Sequence, residues 1–371
     1  MDIANFGVEE WLNEWETKAT YDLAQSTVSS MTLSEAISID GTNPDDFFRS
    51  LYDTKMNYGY IEGSPAFKEE VAKMYQNVES NNILQTNGAT GANLLALYAL
   101  IKPGDHVVSM FPTYQQLYDI PRSFGAEVDF VYLNEEDGWR FPIEDLEKVI
   151  RSNTKMITLN SANNPTGTLI KEEDLRQIVK LAEKVGAYIL VDEVYAPFSN
   201  PNSVSVVDLY DKGISTNSLS KTFSIPGIRI GWTATSKELA DLFRKYRDYT
   251  MICSGIIDDA LAVHVLKNRD KILKRNYNLL SGNLKKLQEW VESEELVSLV
   301  YPEYVSTSFV KFNVPVPIKE FCIELLKKEG VLLVPGSSYE IEGHVRLGYC
   351  CSSEVLEEGL KRISRFLNQY R

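Results

Sequence analysis

Histidine is scarce in this chain. Its 371 residues hold three, His106, His264 and His344, far from one another, which argues against a zinc site and against a histidine-based catalytic triad. Cysteine is nearly as sparse. The four present (Cys253, Cys322, Cys350 and Cys351) show no CxxC spacing and read as reduced thiols, not as a metal knuckle or a disulfide framework. Basic charge is in deficit, with Lys+Arg at 38 against Asp+Glu at 52 and a formal net charge of −14. Such a field repels nucleic acid and anionic lipid, so neither is expected as a partner. Long apolar runs are missing as well. The longest, Leu94–Ile101, spans eight residues, less than half of a membrane-crossing helix. The opening residues, with Asp2, Glu9 and Glu10 beside two tryptophans, lack the basic and apolar regions of a secretory signal, so a cytoplasmic location is expected. No metal is expected either, and difficult chemistry would need an organic cofactor.

What is present is an ordinary globular balance, 44% hydrophobic and 24% charged, in a chain long enough for two packed lobes. Helix-like and strand-like segments alternate from about residue 65 to 235. Phe67, Val71, Met74 and Val78 make a helical stripe, and Ile83–Thr86 reads as a strand. Asn87–Gly88 then punctuates the chain before an apolar helix, Ala92–Ile101, which ends at Pro103–Gly104–Asp105. Further strands are expected at His106–Met110, Val128–Leu133, Met156–Leu159, Tyr188–Val191, Ile214–Asn217 and Arg229–Ala234. An amphipathic helix carrying Leu175, Ile178, Val179 and Ala182 closes at Gly186. This alternation predicts an α/β fold, with a mostly parallel central sheet flanked by helices. After about residue 240 long helices dominate, ending in a helix with Val355, Leu356, Leu360, Ile363 and Phe366 on one side. That pattern predicts a smaller α+β lobe.

The chemistry-bearing stretch is Ser218-Leu219-Ser220-Lys221-Thr222-Phe223-Ser224-Ile225-Pro226-Gly227-Ile228-Arg229-Ile230-Gly231. A lysine taken alone is a surface residue, but this one stands between hydroxyls, with an arginine eight positions on. A lysine near cations or in a dry pocket has its pKa lowered and becomes a nucleophilic amine. Ser218, Ser220 and Arg229 could together hold a phosphate. The whole string resembles the S-x-S-K-x-x-x-x-x-G-x-R-x-G signature of the class I/II aminotransferases, which depend on pyridoxal 5′-phosphate (PLP). The resemblance implies a Schiff base at Lys221 and PLP fold type I. It divides the chain into an N-terminal segment packing on the small domain (1–43), a large PLP-binding domain (44–245) and a small C-terminal domain (246–371).

Other motifs fall in the order the family requires. Gly88-Ala89-Thr90 lies at a strand-to-helix junction suited to a phosphate. Tyr114 follows a strand, and the resemblance implies that its ring stacks on the cofactor. Asn164, within Asn163-Asn164-Pro165-Thr166-Gly167, implies a hydrogen bond to the cofactor's O3′, shared by Tyr195. Asp192 closes a strand and implies the partner of the pyridine nitrogen, which keeps the ring an electron sink. Its neighbour Glu193 fits a solvated strand end better. Catalysis is thus expected from Lys221, Asp192 and Tyr195. Tyr58, in Asn57-Tyr58-Gly59-Tyr60, implies a tyrosine reaching the phosphate of a partner subunit and hence a homodimer. Arg346, in His344-Val345-Arg346-Leu347-Gly348, implies a fork on the substrate carboxylate, with Asn164 beside it.

One segment departs from the pattern. Tyr21-Asp22-Leu23-Ala24-Gln25-Ser26-Thr27-Val28 lacks the family's Gly-x-Pro, and with Val8-Glu9-Glu10-Trp11-Leu12 it looks more like the capreomycidine synthase-like branch, whose members cyclise an arginine derivative. The expected reaction is amino transfer from an L-amino acid to a 2-oxo acid. A PLP-dependent C–S β-lyase or a cyclase is the alternative on the same site. A non-catalytic PLP-sensing module ranks below both.

Overall fold

The computed structural model describes residues 2–196, 204–303 and 305–371. Its strands in chain order are β1 (Tyr21–Asp22), β2 (Ile83–Asn87), β3 (His106–Phe111), β4 (Glu127–Tyr132), β5 (Thr154–Asn160), β6 (Tyr188–Asp192), β7 (Gly213–Ser218) and β8 (Ile230–Thr235). The smaller lobe follows with β9 (Val297–Leu299), β10 (Thr307–Phe312), β11 (Val331–Leu332), β12 (Val334–Pro335) and β13 (His344–Gly348). Seven strands form the central sheet in the order β2-β8-β7-β6-β5-β3-β4. From β7 through β4 every pairing is parallel, while β8 runs antiparallel to both β7 and β2. The fold is therefore α/β, as the alternation predicts. The site grows from the carboxyl ends of the parallel strands, where loops have room to converge.

Helices cover both faces of that sheet, so β3, β7 and β8 are buried along their whole length. β7 reads Gly-Ile-Ser-Thr-Asn-Ser and is far more polar than a buried strand should be. Its polar groups are used: Ser215 donates to Glu193, Thr216 to Asn93 and Asn217 to the Glu193 carbonyl, while Ser218 accepts from the Ser220 N–H. The helix Glu172–Val185 ends at Gly186 in the left-handed conformation (φ 72°), where a side chain would strain the turn. The stripe from Phe67 to Val78 is helical only through Ala72. Beyond it the chain turns, because the Asp208 carboxylate accepts the N–H groups of Gln76 (2.9 Å) and Asn77 (2.8 Å). Arg229 precedes β8 rather than opening it, and adopts φ 55°.

The smaller lobe is an antiparallel sheet, β12-β13-β10-β9, backed by the helices Ile318–Glu329 and Ser353–Leu367. The N-terminal segment reaches both lobes. β1 pairs parallel with β11, and Trp11 Nε1 donates to the Leu333 carbonyl at 2.8 Å. Farther along, Met31 and Ala36 join the cluster around Phe67, Phe223 and Trp232 of the large lobe. Among the described residues no helix is long and apolar enough to cross a membrane.

Candidate active site

A cavity of about 320 Å³ opens where the sheet ends meet the N-terminal segment and the small lobe. Ala89, Thr90, Tyr114, Asn164, Asp192, Tyr195, Ser218, Ser220, Lys221, Arg229 and Arg346 all line it. Residues spread over more than 250 positions thus converge on a space the size of a small ligand.

Lys221 lies just beyond β7, only partly exposed, and its Nζ donates to Ser26 Oγ at 2.8 Å. Burial lowers its pKa to about 8, and the nearby Arg346 guanidinium adds to the effect. The amine is thereby brought toward the neutral, nucleophilic form. Tyr195 is buried and hydrogen-bonded to the same serine, with its phenol pushed up to about 12 by burial. The N-terminal segment clasps this loop: Val28 N–H donates to the Lys221 carbonyl (3.2 Å) and Met31 N–H to the Ser224 carbonyl (2.9 Å).

Asp192 ends β6 and is buried. Its Oδ2 accepts from Asn93 Nδ2 (2.8 Å) and its Oδ1 from Val194 N–H (3.3 Å). Burial raises its pKa to about 6 against these donors and the charge of Lys221. Glu193 does not face solvent, contrary to expectation. The pleat turns it to the other side of the sheet, where Ser205 and Ser215 donate to its carboxylate (2.8 and 2.6 Å) and burial raises it to about 7.

The helix Gly88–Leu100 begins at the rim of the cavity, where the N–H groups of its first turn have no partners within the helix. A side chain at Gly88 (φ 67°) would meet Arg229 Nη2 at 2.8 Å, so glycine keeps the guanidinium against the helix end. Arg229 Nη1 also reaches Ser220 Oγ at 3.4 Å. Cation, hydroxyls and helix terminus make a cradle for an anion.

Arg346 on β13 is buried beside Asn164. Its Nη1 donates to Asn164 Oδ1 (3.2 Å) and to the Tyr339 hydroxyl (2.8 Å), and its Nη2 to the Ala24 carbonyl (2.7 Å). Nε is enclosed and has no partner among the described residues. Tyr58 lies outside the cavity of its own chain, 82% exposed.

Several contributors were not picked out by their motifs. Asn160 bridges the Asp192 carbonyl (2.9 Å) and the Asn164 N–H (2.7 Å), and Tyr339 holds Asn164 and Arg346 together. Asn93 has a sequence signal, a lone amide within an apolar helix; Tyr339 has none. Glu9 and Glu16 form an acidic rim and make no ion pair among the described residues.

A family model for aminotransferase class I and II matches residues 37–363. The chain belongs to that family. The crystal structure of a PLP-dependent aminotransferase from Streptococcus suis is 54% identical, covering 100% of this chain and 99% of that one with a TM-score of 0.98. Capreomycidine synthase of Streptomyces vinaceus is 26% identical over 98% of this chain and 94% of its own length. Aspartate aminotransferase of Thermotoga maritima is 29% identical over 86% of each chain. This aminotransferase-family enzyme therefore uses pyridoxal 5′-phosphate. The cavity fits that group, with an anion cradle that a side chain at Gly88 would fill, a partly neutral amine at Lys221 and a buried carboxylate at Asp192.

Proposed function

We propose that the protein moves an amino group from an L-amino acid to a 2-oxo acid. The observation that carries this is the convergence of Lys221, Asp192 and Arg346 on one cavity. When bound, pyridoxal phosphate supplies an aldehyde that takes up the amine and a ring that draws electrons from the substrate α-carbon. Gly88, Ala89, Thr90, Ser218, Ser220 and Arg229 hold the phosphate. Asp192 would serve the ring nitrogen as a charged acceptor, and Tyr114 would cover the ring. Asn164 and Tyr195 steady its hydroxyl. Lys221 would supply the amine that holds the cofactor, and its Nζ would carry a proton from the substrate α-carbon. Arg346, oriented by Asn164 and Tyr339, grips the α-carboxylate and so limits substrates to α-amino acids. Tyr58, exposed beside Tyr52, Met56, Tyr60 and Ile61, serves the site of a second copy in a cytoplasmic homodimer. A monomer in sedimentation would remove that part.

Borohydride reduction of the purified protein should fix the cofactor to Lys221, and mixing with a suitable L-amino acid should convert the cofactor to pyridoxamine phosphate, reversed by a 2-oxo acid. A label on another lysine would refute the assignment of the site. The capreomycidine synthase relative, matched through its N-terminal segment, supports a second reading as an amino-acid cyclase, because residues 8–26 form one wall of the cavity. Acidic side chains at the rim, Glu9 and Glu16, favour a cationic substrate in that case. A cyclic product formed without pyridoxamine phosphate would select it.

A further inference from the structure

Asp192 owes its orientation to a buried amide that none of the motifs contains. Asn93 lies on the helix Gly88–Leu100, fully enclosed, with its Nδ2 2.8 Å from Asp192 Oδ2 and 3.2 Å from Gln116 Oε1. Its Oδ1 accepts from the Thr216 hydroxyl at 2.6 Å. That hydroxyl has one proton, and its other acceptor, the Val191 carbonyl, is 3.5 Å away. The proton therefore goes to Asn93. Gln116 is fixed in turn, because its Nε2 donates to the Thr90 carbonyl at 2.9 Å, so its Oε1 faces Asn93. With a donor, Thr216, on one side and acceptors, Asp192 and Gln116, on the other two, the amide has a single satisfactory orientation, its N–H toward Asp192.

We propose that Asn93, locked by Thr216 and Gln116, is the positioning residue that keeps Asp192 a charged acceptor aimed into the cavity. This rests on the reading that Asp192 pairs with the ring nitrogen of the cofactor. The need is physical: a carboxylate enclosed here is driven toward its neutral form, which would present a proton to the ring nitrogen where an acceptor is required. Each donor on the carboxylate opposes that drift. Val194 N–H at 3.3 Å is the longer of its two contacts, which leaves Asn93 as the principal one. The cation facing Asp192 is Lys221, while the phenols of Tyr114 and Tyr195 are held protonated by burial. Glu193 lies across the sheet on its serines.

Binding of pyridoxamine 5′-phosphate to the full-length apoprotein, followed by calorimetry, tests this without the Lys221 linkage, since that probe has no aldehyde. Asn93→Leu should weaken binding about tenfold near neutral pH, the loss of one charge-assisted hydrogen bond. It should also raise by about one unit the pH below which binding fails. In an Asp192→Ala background the same change should have almost no effect. Thr216→Val should give a smaller loss in the same direction, and Thr216→Ser, which keeps the hydroxyl, should bind like wild type. An equal loss from Asn93→Leu in the Asp192→Ala background, or an unshifted pH profile, would overturn the proposal. If Asp192→Ala itself binds the probe as wild type does, the role given to Asp192 falls first and Asn93's with it. Should Asn93→Leu fail to fold, the Thr216 pair decides: equal binding by Val and Ser refutes the lock.

Discussion

Asp192 and Glu193 are neighbours in the chain, both carboxylates and both buried, yet they sit in opposite kinds of surroundings. Asp192 points toward the cavity with two hydrogen bonds, from Asn93 and Val194, and stands near Lys221. Glu193 points to the other face, where Ser205 and Ser215 take up both its oxygens. Burial raises both, to about 6 and about 7. The difference lies in what is left over. Glu193 is satisfied within the protein and ties β6 to β7 and to the Ser205 turn. Asp192 keeps acceptor capacity toward the cavity. Adjacent residues thus divide into one that faces the cavity and one that braces the sheet, because a strand sends successive side chains to opposite faces.

The sharpest way to break that comparison is to remove each carboxylate. Asp192→Ala should lower turnover at least about a hundredfold and weaken cofactor binding about tenfold or more, with a near-normal circular dichroism spectrum. Near wild-type turnover would end the distinction. Next in size, Arg346→Lys should raise KM for an α-amino acid about tenfold, since an ammonium cannot reproduce the fork. An unchanged KM would mean that the carboxylate binds elsewhere.

A smaller effect concerns pH. Burial, with Arg346 beside it, lowers the Lys221 amine to about 8, so attachment of pyridoxal phosphate to the apoprotein should speed up as pH rises through that value. In Arg346→Met the rise should occur at higher pH, because a neighbouring cation no longer disfavours the protonated amine. Stopped-flow absorbance would show this, and identical profiles would remove Arg346 from the cause. The smallest effect is on Glu193→Gln, which should leave cofactor affinity unchanged and alter stability by about 1 kcal/mol. Glu193 has its folded pKa raised above the usual carboxylate value, so the folded state binds more protons between about 4.5 and 7. Wild-type stability should therefore gain on the glutamine variant as pH falls through that window, and parallel denaturation curves would contradict it.

Lys221 was legible because its evidence is local: hydroxyls, a turn and an arginine within one short string. Gly88 and Asn164 were legible for the same reason, each set in a short turn motif, and at Gly88 the left-handed backbone (φ 67°) favours glycine. Glu193 was misplaced because a carboxylate at a strand end carries no mark of which face it joins. The hydroxyls that enclose it come from β7 and from Ser205, brought together only by the sheet. Asn93 carries only a lone-amide signal within an apolar helix, and its role is not local, since its acceptor lies 99 positions away. The helical stripe past Ala72 failed likewise, where Asp208, far along the chain, ends the helix.

By itself, the sequence determined the α/β alternation, the family and its cofactor, because periodicity and short motifs are properties of neighbouring residues. Tertiary structure alone decided what encloses Glu193, how the Asn93 amide is oriented, and that Val8, Glu9, Leu12, Glu16 and Ala24 to Ser26 line the site. Hydrogen-bond satisfaction in a buried space depends on partners that the chain supplies from distant positions, and they meet only when the sheet closes.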